Sequence, residues 1–266
     1  MSDEPDIRLA LVTGGGKRLG RAMALFLADR GHDVAVHYGG SQAAAEDTAA
    51  EIEARGRRAV TVQADLLDED GVQALLPAAV AGLGGPIHVL VNNASIFDDE
   101  GFGDSTRATW DRHVESNLRA PFVLTQGLAA QVPDPVMDGN GEPVAQGLVV
   151  NMIDQRVRKL TPKFASYTIA KSALWTMTRT AAQALAPRVR VNGIGPGPTL
   201  KSAGQSEQQF FDQRARTILQ RGANPEDITN ALGYFLTAKA VTGQLICVDG
   251  GQHLAWQTPD VLGVDV

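Results

Sequence analysis

The chain has 266 residues, 44% of them apolar and 20% charged, which is close to the average for soluble globular proteins. Its formal net charge of −6 argues against nucleic acid or an anionic membrane surface as the main partner. The single cysteine, Cys247, excludes an intramolecular disulfide framework, leaves too few thiolates for a structural zinc site and fits a reducing compartment.

The first residues are acidic and lack the basic and then apolar layout of a signal peptide. No apolar run approaches the ~18 residues that a membrane-spanning helix requires. We therefore expect a cytoplasmic protein whose partner is a small molecule rather than a membrane, a nucleic acid or a metal ion.

Apolar runs of strand length alternate with longer helical segments, which is typical of βαβ units around a parallel sheet. The predicted strands are, in chain order, residues 7–13, 33–38, 58–63, 87–92, 148–153, 189–194 and 245–248. The predicted helices are residues 19–30, 42–55, 110–131 and 164–185, and the first two end at Gly31 and Gly56. Since these strands resemble those buried on both faces, we predict one α/β domain over residues 1–266, a Rossmann-type doubly wound parallel sheet of about seven strands.

Two segments interrupt this alternation. Residues 132–147 are rich in proline, glycine and acidic side chains, and this composition predicts a surface loop before the fifth strand. Residues 196–220 begin as Pro-Gly-Pro and then become polar and helical. They follow the carboxyl end of the sixth strand, where doubly wound sheets bind ligands, so we expect a mobile lid over a substrate.

A glycine-rich turn follows the first strand and opens the first helix, running from Thr13 through Gly14 and Leu19 to Gly20. Glycines let the backbone approach a pyrophosphate, and the helix N-terminus offers free N–H groups and a partial positive charge. A tight turn without a ligand is the alternative, but the repeated βαβ units favour dinucleotide binding.

The residues after the second strand indicate which dinucleotide binds. NAD-preferring sites usually place an Asp or Glu there for the ribose 2′-hydroxyl, whereas this strand ends in His37 and Tyr38, followed by two glycines and Ser41. Lys17 and Arg18 lie in the neighbouring turn and would offer cations to a 2′-phosphate. We therefore predict NADPH/NADP+; the alternative is that both cations are only solvated turn residues.

Two further strand ends complete the predicted cofactor site. Asp65 and Leu66 follow the third strand, where the Asp65 carboxylate is placed to accept a hydrogen bond from the adenine amino group. Asn93, Ala94 and Ser95 follow the fourth strand and would form the wall of the adenine-ribose pocket.

The predicted helix over residues 164–185 carries Tyr167 and Lys171 one turn apart on the same face. A phenol with its ordinary pKa near 10 exchanges protons poorly at neutral pH. We expect the lysine ammonium to lower that pKa by favouring the phenolate, which would allow proton exchange with a carbonyl or imine.

Several motifs, in their order and spacing, resemble the short-chain dehydrogenase/reductase family over residues 9–253. They are the Thr-Gly-rich turn, Asn-Asn-Ala at residues 92–94, Asn117, the pair Tyr167 and Lys171, Pro196 with Gly197, and the closing Val-Asp-Gly-Gly of residues 248–251. The resemblance implies that Lys171 also binds the nicotinamide ribose hydroxyls, that Asn117 holds a water in a proton relay, and that Pro196 and Gly197 contact the cofactor.

The resemblance also implies a homotetramer in which the long helices over residues 110–131 and 164–185 pair between subunits. Apolar side chains on these helices are compatible with such contacts: Leu118, Phe122, Leu174 and Met177. The same side chains would equally suit packing against the sheet of their own chain.

Two departures from the family pattern narrow the interpretation. Arg18 stands where most members have glycine, and Asp154 stands where most have a catalytic serine. The chain is either an inactive relative or a member of the pteridine reductase branch, which it resembles at both positions. The resemblance extends to bacterial dihydromonapterin and dihydrofolate reductases, which share the closing pattern that ends in His253. Since that branch has an arginine where this chain has Gly40, a 2′-phosphate would depend more on the cations of the turn and on Ser41.

Asp154 suits reduction of a dihydropterin, in which a hydride goes to a ring carbon and a proton to a ring nitrogen. It would raise the acidity of Tyr167 or relay its proton. Phe97 lies where the branch places an aromatic ring against the pterin, opposite the nicotinamide, although an ordinary packing role is the alternative. We expect an NADPH-dependent reductase of a dihydropteridine, dihydromonapterin or dihydrofolate. A carbonyl or 3-oxoacyl reductase and a non-catalytic nucleotide-binding protein are the alternatives.

Overall fold

The computed structural model describes residues 9–202, 204–258 and 260–262. In those ranges the strands are β1 (Leu9–Val12), β2 (Asp33–Tyr38), β3 (Ala59–Gln63), β4 (Val89–Asn92), β5 (Val136–Met137), β6 (Pro143–Val144), β7 (Gly147–Met152), β8 (Val189–Pro196) and β9 (Leu245–Val248). All but β5 and β6 form one parallel sheet with the order β3-β2-β1-β4-β7-β8-β9. The order reverses between β1 and β4, and doubly wound sheets bind ligands at such a switch point.

Helices cover the sheet on both faces. Within the same ranges they are α1 (Arg18–Asp29), α2 (Gln42–Glu53), α3 (Glu69–Leu83), α4 (Arg107–Val114), α5 (Ala120–Gln131), α6 (Ala165–Leu185), α7 (Glu207–Ala215) and α8 (Pro225–Thr237). Apolar side chains of α1, α2 and α8 pack on one face of the sheet, and those of α3, α5 and α6 pack on the other. The predicted Rossmann-type α/β fold with a seven-stranded parallel sheet is confirmed.

The strands alternate their side chains between two apolar cores. In β1, Ala10 and Val12 belong to the core beneath α1, whereas Leu9 and Leu11 belong to the core on the opposite face. Leu11 is fully buried, and burial of one such side chain contributes about 1.5–3 kcal/mol. A strand that feeds two cores must be apolar at every position, which explains the continuous apolar runs in the sequence.

The predicted strands match the observed ones to within two residues at every end that the structure describes. Residues 7 and 8 of the first predicted strand and residue 203 of the predicted lid lie outside the described ranges. The predicted surface loop over residues 132–147 contains a short antiparallel pair, in which β5 and β6 join Val136 to Val144. None of the described helices has the length and apolar character needed to cross a bilayer.

The helix predicted over residues 110–131 differs from a plain α-helix. It begins at Arg107, and residues Glu115–Arg119 form a π-helical turn between α4 and α5. Single π turns inside α-helices occur often at functional sites, because they displace side chains from the regular helical positions. This one contains Asn117.

Candidate active site

The glycine-rich turn is hydrogen-bonded to the loop that follows β4. The Thr13 hydroxyl accepts hydrogen bonds from the backbone N–H groups of Asn93 (2.9 Å) and Ala94 (3.0 Å), and the Asn93 amide nitrogen donates to Thr13 O at 2.8 Å. Gly14 has a φ of +60°, and a Cβ atom on Gly20 would overlap the Gly14 carbonyl oxygen. The turn therefore requires glycine at both positions and brings the first residues of α1 close to Asn93.

His37 lies behind the turn and not in an open site. Only 2% of its surface is exposed, and its Nδ1 accepts a hydrogen bond from the Gly14 N–H at 3.0 Å. Its Nε2 is 3.1 Å from the Ala64 carbonyl oxygen, so that nitrogen carries the proton and the ring is neutral. Burial also lowers the pKa of His37. With both ring nitrogens bound to the backbone, His37 holds the turn in place, and its predicted contact with the cofactor stays a prediction.

Lys17 and a hydroxyl group lie together just after β2, and the next residue, Arg18, extends towards the predicted lid. Lys17 Nζ donates to the Ser41 hydroxyl at 2.8 Å, and no carboxylate follows β2 before α2. Arg18 has a φ of +53°, in the left-handed region that a bulky residue rarely adopts. Its guanidinium donates to Leu200 O (3.1 Å) and Lys201 O (2.9 Å), and so joins the turn to the predicted lid.

The other predicted cofactor residues line the same edge of the sheet. Asp65 is exposed two residues after β3, and its Oδ1 accepts a hydrogen bond from Leu67 N at 3.0 Å, which leaves the rest of the carboxylate open. The Gly197 N–H donates to Val248 O at 3.0 Å, so β8 and β9 stay paired just beyond the end of β8. The remaining ones are partly or fully exposed beside the turn or at strand ends: Leu19, Tyr38, Leu66, Ser95 and Pro196.

Three polar side chains meet where β7 ends beside α6. The Tyr167 hydroxyl donates a hydrogen bond to Asp154 Oδ2 at 3.0 Å. Lys171 Nζ donates to Met152 O at 2.7 Å and lies 5.7 Å from the centre of the Tyr167 ring. Tyr167 and Lys171 are buried and Asp154 is nearly so, so their charges interact with little screening by water.

The structure corrects two predictions, that Lys171 lowers the pKa of Tyr167 and that Asp154 raises the acidity of Tyr167. Burial raises the pKa of Tyr167 well above 10.0, and the adjacent Asp154 carboxylate raises it further. Asp154 contacts the phenol directly, whereas the ammonium is directed to a backbone carbonyl. Burial also raises the pKa of Asp154 and lowers that of Lys171 to about 8. Tyr167 is therefore held as a neutral hydrogen-bond donor.

Asn117 supports the loop that carries Phe97. Its amide nitrogen donates to Ile96 O at 3.0 Å, and its Oδ1 accepts a hydrogen bond from the Ser95 hydroxyl at 2.6 Å. The π-helical turn directs the side chain away from solvent, where it is fully buried. The predicted water relay through Asn117 stays a prediction.

Phe97 lies directly beside the phenol. Its ring is 41% exposed, and its centre is 4.8 Å from that of Tyr167, with an angle of 74° between the rings. One face of Phe97 stacks on Phe164 at 4.2 Å, and the guanidinium of Arg156 lies 4.8 Å from the Phe164 ring centre. Phe164 was not predicted, because only the fold brings it to Phe97. Asp154, Tyr167 and Phe97, which the sequence predicts as substrate contacts, thus form one cluster.

Among the described residues, no group of three or more His, Cys, Asp or Glu side chains is arranged to hold a metal ion. The side chains at this site are a neutral phenol paired with a carboxyl group, a buried amine and an aromatic wall. That set can move a proton to and from a bound organic molecule.

Comparison with known proteins finds a matching family model and similar proteins. A family model described as enoyl-(acyl carrier protein) reductase matches residues 16–253. Pteridine reductase 1 of Leishmania tarentolae is 33% identical, with 96% of this chain and 99% of that protein covered. The 3-oxoacyl-[acyl-carrier-protein] reductase FabG of Staphylococcus epidermidis is 32% identical over 92% of this chain and 98% of that protein. The crystal structure of FolM alternative dihydrofolate reductase 1 from Brucella suis, in complex with NADP, has a TM-score of 0.89 and 44% identity, with 97% and 99% of the two chains covered.

Proposed function

Because this chain belongs to the short-chain dehydrogenase/reductase family, we propose that it transfers a hydride from NADPH to a pterin-like substrate, namely a dihydropteridine, a dihydromonapterin or a dihydrofolate. It is an NADP(H)-dependent short-chain oxidoreductase. The pterin assignment depends on one observation, the hydrogen bond from the Tyr167 hydroxyl to Asp154. The similarity to FolM and to pteridine reductase 1 supports the same class of substrate.

The residues around the glycine-rich turn fit a nicotinamide dinucleotide that carries a 2′-phosphate. A Cβ atom on Gly14 would lie 3.2 Å from Ala94 Cα, so glycine there lets the turn pack closely against the loop after β4. Lys17 and Ser41 are joined just after β2, and Arg18 follows Lys17 in the turn with its guanidinium on the carbonyl oxygens of Leu200 and Lys201. Since no carboxylate follows β2 before α2, a phosphate would meet cations and a hydroxyl there.

The proton transfer follows from the state of the phenol. NADPH supplies the hydride when it is bound. Tyr167 keeps a proton on its phenol oxygen, because burial and the neighbouring carboxylate raise its pKa well above 10.0. That proton is the one delivered to a ring nitrogen of the substrate. Asp154 Oδ2 lies 3.0 Å from the same oxygen, so Asp154, once protonated from solvent, is in place to return a proton to the phenolate that the transfer leaves.

Burial makes Asp154 suitable for this task. It raises the pKa of the carboxyl group, so Asp154 binds a proton more readily near neutral pH than an ordinary aspartate does. Lys171 has its pKa lowered to about 8 by the same burial and is held on the Met152 carbonyl oxygen, from which it would reach the nicotinamide ribose hydroxyls. We assign Asn117 to support of the substrate loop and to the water of the relay.

The aromatic wall would hold a flat heterocycle. Phe97 has one face against Phe164 and stays 41% exposed, and it stands next to the phenol. A pterin stacked on its exposed part would place a ring nitrogen near Tyr167. Substrate contacts are thus assigned to Phe97, Asp154 and Tyr167.

We assign residues 196–220 as a substrate lid. In the part that the structure describes, the segment carries α7 and three exposed apolar side chains, Phe211, Ile218 and Leu219. Arg214 on α7 donates to Pro198 O (2.8 Å) and to the Asn224 side chain (2.8 Å), which ties the two ends of the segment together. A segment whose two ends are held together can move as one unit, and its exposed apolar side chains would pack against the bound substrate when it closes.

A second candidate is reduction of a 3-oxoacyl thioester, which the similarity to FabG favours. A catalytic serine hydroxyl always carries a donor for a substrate carbonyl, whereas Asp154 donates a hydrogen bond only while its carboxyl group is protonated. With Asp154 at this position, the site is better matched to a substrate that takes a proton on nitrogen.

We also propose a cytoplasmic homotetramer. An apolar groove of about 210 Å³ lies between α5 and α6, with Phe122 and Met177 in its lining. Phe122 is 42% exposed. Leu174, which was predicted on the same apolar face, is fully buried and packs with Leu118 in the chain's own core, so only part of that face remains for a partner.

The assignment is tested by following NADPH consumption with dihydrobiopterin, dihydromonapterin, dihydrofolate, a ketone and a 3-oxoacyl thioester. We expect turnover of at least one pterin. It should fall by about 100-fold or more in Tyr167→Phe, which removes only the hydroxyl, and should be unchanged in Tyr234→Phe, an exposed tyrosine on α8. Rapid turnover of the ketone or thioester with none of the three pterins would refute the pterin assignment.

A further inference from the structure

Helix α6 carries Tyr167 and Lys171 but has no capping side chain of its own. Its N-cap residue is Phe164, with φ 57° and ψ 53°, and an aromatic ring accepts no hydrogen bond from the backbone N–H groups of the first turn. Those groups need acceptors, because the first four N–H groups of a helix have no partner within it. The acceptors come from another part of the chain.

Glu100 supplies them from the loop after β4. Its backbone carbonyl accepts a hydrogen bond from Ala165 N at 3.2 Å, and its Oε1 accepts one from Ser166 N at 2.9 Å. The Ser166 hydroxyl donates to the same Oε1 atom. Glu100 is 4% exposed, whereas Asp98 and Asp99 just before it are exposed. Of these three acidic residues, only Glu100 is buried against the N-terminus of α6, where the helix dipole favours a negative charge.

His113 on α4 extends this contact to the residue after Phe97. Its Nε2 accepts a hydrogen bond from Asp98 N at 3.1 Å, so the proton of the neutral ring is on Nδ1. Nδ1 lies 2.7 Å from the Ser166 hydroxyl oxygen and donates to it. The donors run in one direction, from Asp98 N–H through His113 and Ser166 to Glu100.

The pKa shifts of Glu100 and His113 agree with these donor directions, which require an ionised Glu100 and a neutral His113. Burial raises the pKa of Glu100, but hydrogen bonds from Ser166 and neighbouring hydroxyls outweigh it and leave the pKa at about 2. Burial lowers the pKa of His113. Although Ser, His and Glu also make up hydrolytic triads, here Ser166 donates to the acid and not to the imidazole, and all three are buried. These three side chains therefore fix the start of α6 to the loop after β4 and do not form a hydrolytic site.

We propose that Glu100 is a positioning residue for catalysis, which sets Tyr167 on α6 against Phe97 in the substrate loop. Residues 98 and 100 are fixed to Ser166, and Ser166 is the residue before Tyr167. The two rings that the network spans are 4.8 Å apart at their centres. This inference rests on the proposed function only in taking Tyr167 as the proton donor and Phe97 as a substrate contact.

The test compares Glu100→Ala, Glu100→Gln and Ser166→Ala with the control Asp99→Asn. Glu100→Ala should lower kcat and raise KM for the second substrate, for a total loss in kcat/KM of about 10- to 100-fold, since displacement of a reacting group by about 1 Å costs that much. The Kd for NADPH should stay within about twofold of the wild-type value, because the glycine-rich turn is not touched. Glu100→Gln, which keeps an acceptor for Ser166 N, should restore most of the activity, and Asp99→Asn should match the wild type.

Amide hydrogen exchange gives a readout that needs no substrate. The N–H group of Ser166 should exchange about tenfold faster or more in Glu100→Ala than in Asp99→Asn, because its acceptor, Glu100 Oε1, is lost. The N–H group of Ala165 keeps its acceptor, the Glu100 backbone carbonyl, and serves as the internal reference. If Glu100→Ala does not fold, Ser166→Ala decides, since it keeps the backbone cap and removes only the hydroxyl link; its kcat/KM should fall by about tenfold.

Two results would overturn the proposal. One is a folded Glu100→Ala or Ser166→Ala enzyme with wild-type kcat and KM. The other is a loss of activity that matches a loss of NADPH binding and of folded protein, which would make Glu100 a stability residue only. The kinetic series uses whichever substrate the wild-type chain reduces. Failure of the wild type with pterins would therefore refute the proposed function and still leave Glu100 testable with a ketone.

Discussion

Asp154 precedes Tyr167 by 13 residues in the sequence and accepts the hydrogen bond of its phenol through Oδ2 at 3.0 Å. Two buried acids that share one hydrogen bond do not ionise together easily, because each negative charge opposes the other. The pair therefore retains a proton, which under the proposed function is the one delivered to the substrate. This is a different arrangement from a serine hydroxyl beside a phenolate.

The variant Asp154→Ser separates a pterin reductase from a carbonyl reductase. It removes the proton carrier and introduces a hydroxyl donor, so kcat/KM for the pterin substrate should fall by about 100-fold, while ketone reduction should improve. Both rates are measured from NADPH consumption. Asp99→Ser, at an exposed position in the preceding loop, is the matched control and should change neither rate. Unchanged pterin turnover in Asp154→Ser would remove the carboxyl group from the mechanism.

The pH profile should report Lys171. Its pKa is lowered to about 8 by burial, so the free enzyme loses this positive charge as the pH rises through that value. Tyr167, whose pKa is raised well above 10.0, does not titrate in that range. Since kcat/KM for NADPH reports groups of the free enzyme, it should decline above about pH 8.

Lys171→Arg tests this assignment. Arginine stays charged at all accessible pH values, so the decline should disappear, although the overall rate falls because the larger group fits less well on the Met152 carbonyl. Lys163→Arg, at an exposed lysine, should keep the wild-type profile. A decline near pH 8 that persists in Lys171→Arg would belong to another group.

Arg18 combines a strained backbone with a side chain that we propose to bind the 2′-phosphate. A glycine adopts φ +53° without the steric strain that a Cβ atom causes. Arg18→Gly should therefore leave the free energy of unfolding unchanged or raise it by up to about 1 kcal/mol. The loss of the guanidinium should raise KM for NADPH by about tenfold and leave KM for NADH unchanged, because only NADPH carries the 2′-phosphate.

The same variant should loosen the lid, since the bonds to Leu200 and Lys201 are lost. Faster limited proteolysis within residues 196–220 would show this. Lys17→Ala should also weaken the preference for NADPH, but it should not raise the free energy of unfolding, because no backbone strain is relieved. Equal effects of Arg18→Gly on KM for NADPH and NADH would contradict a role at the 2′-phosphate.

The strands of the sheet were predictable from the sequence, because each strand places side chains in both apolar cores and is therefore a continuous apolar run. Helix α3 was missed, since Gly71 and Pro77 within it weaken the helical signal. The π-helical turn at Asn117 was missed as well, because a change of hydrogen-bonding register leaves no mark in hydrophobic spacing.

At the site, the types of residue were predictable but their electrostatic roles were not. Asp154, Tyr167 and Phe97 come together as their positions in the motifs suggest. The direction of the Tyr167 pKa depends on which charge touches the phenol oxygen, and the burial of Glu100 within an acidic run depends on the helix packed against it. Both are properties of the packed chain, so local sequence does not contain them.

The apolar groove between α5 and α6 leads to a last prediction, on assembly. Phe122 is 42% exposed in the groove, and a charge placed there would be buried without a partner if a second subunit covered it. Phe122→Glu should therefore convert a tetramer into smaller species in light scattering coupled to gel filtration. Phe102→Glu, at a phenylalanine 84% exposed and outside the groove, should leave the mass unchanged. Two results would contradict this prediction: a monomeric wild-type chain, or a tetramer that persists in Phe122→Glu. Either would mean that the groove between α5 and α6 is not an interface between subunits.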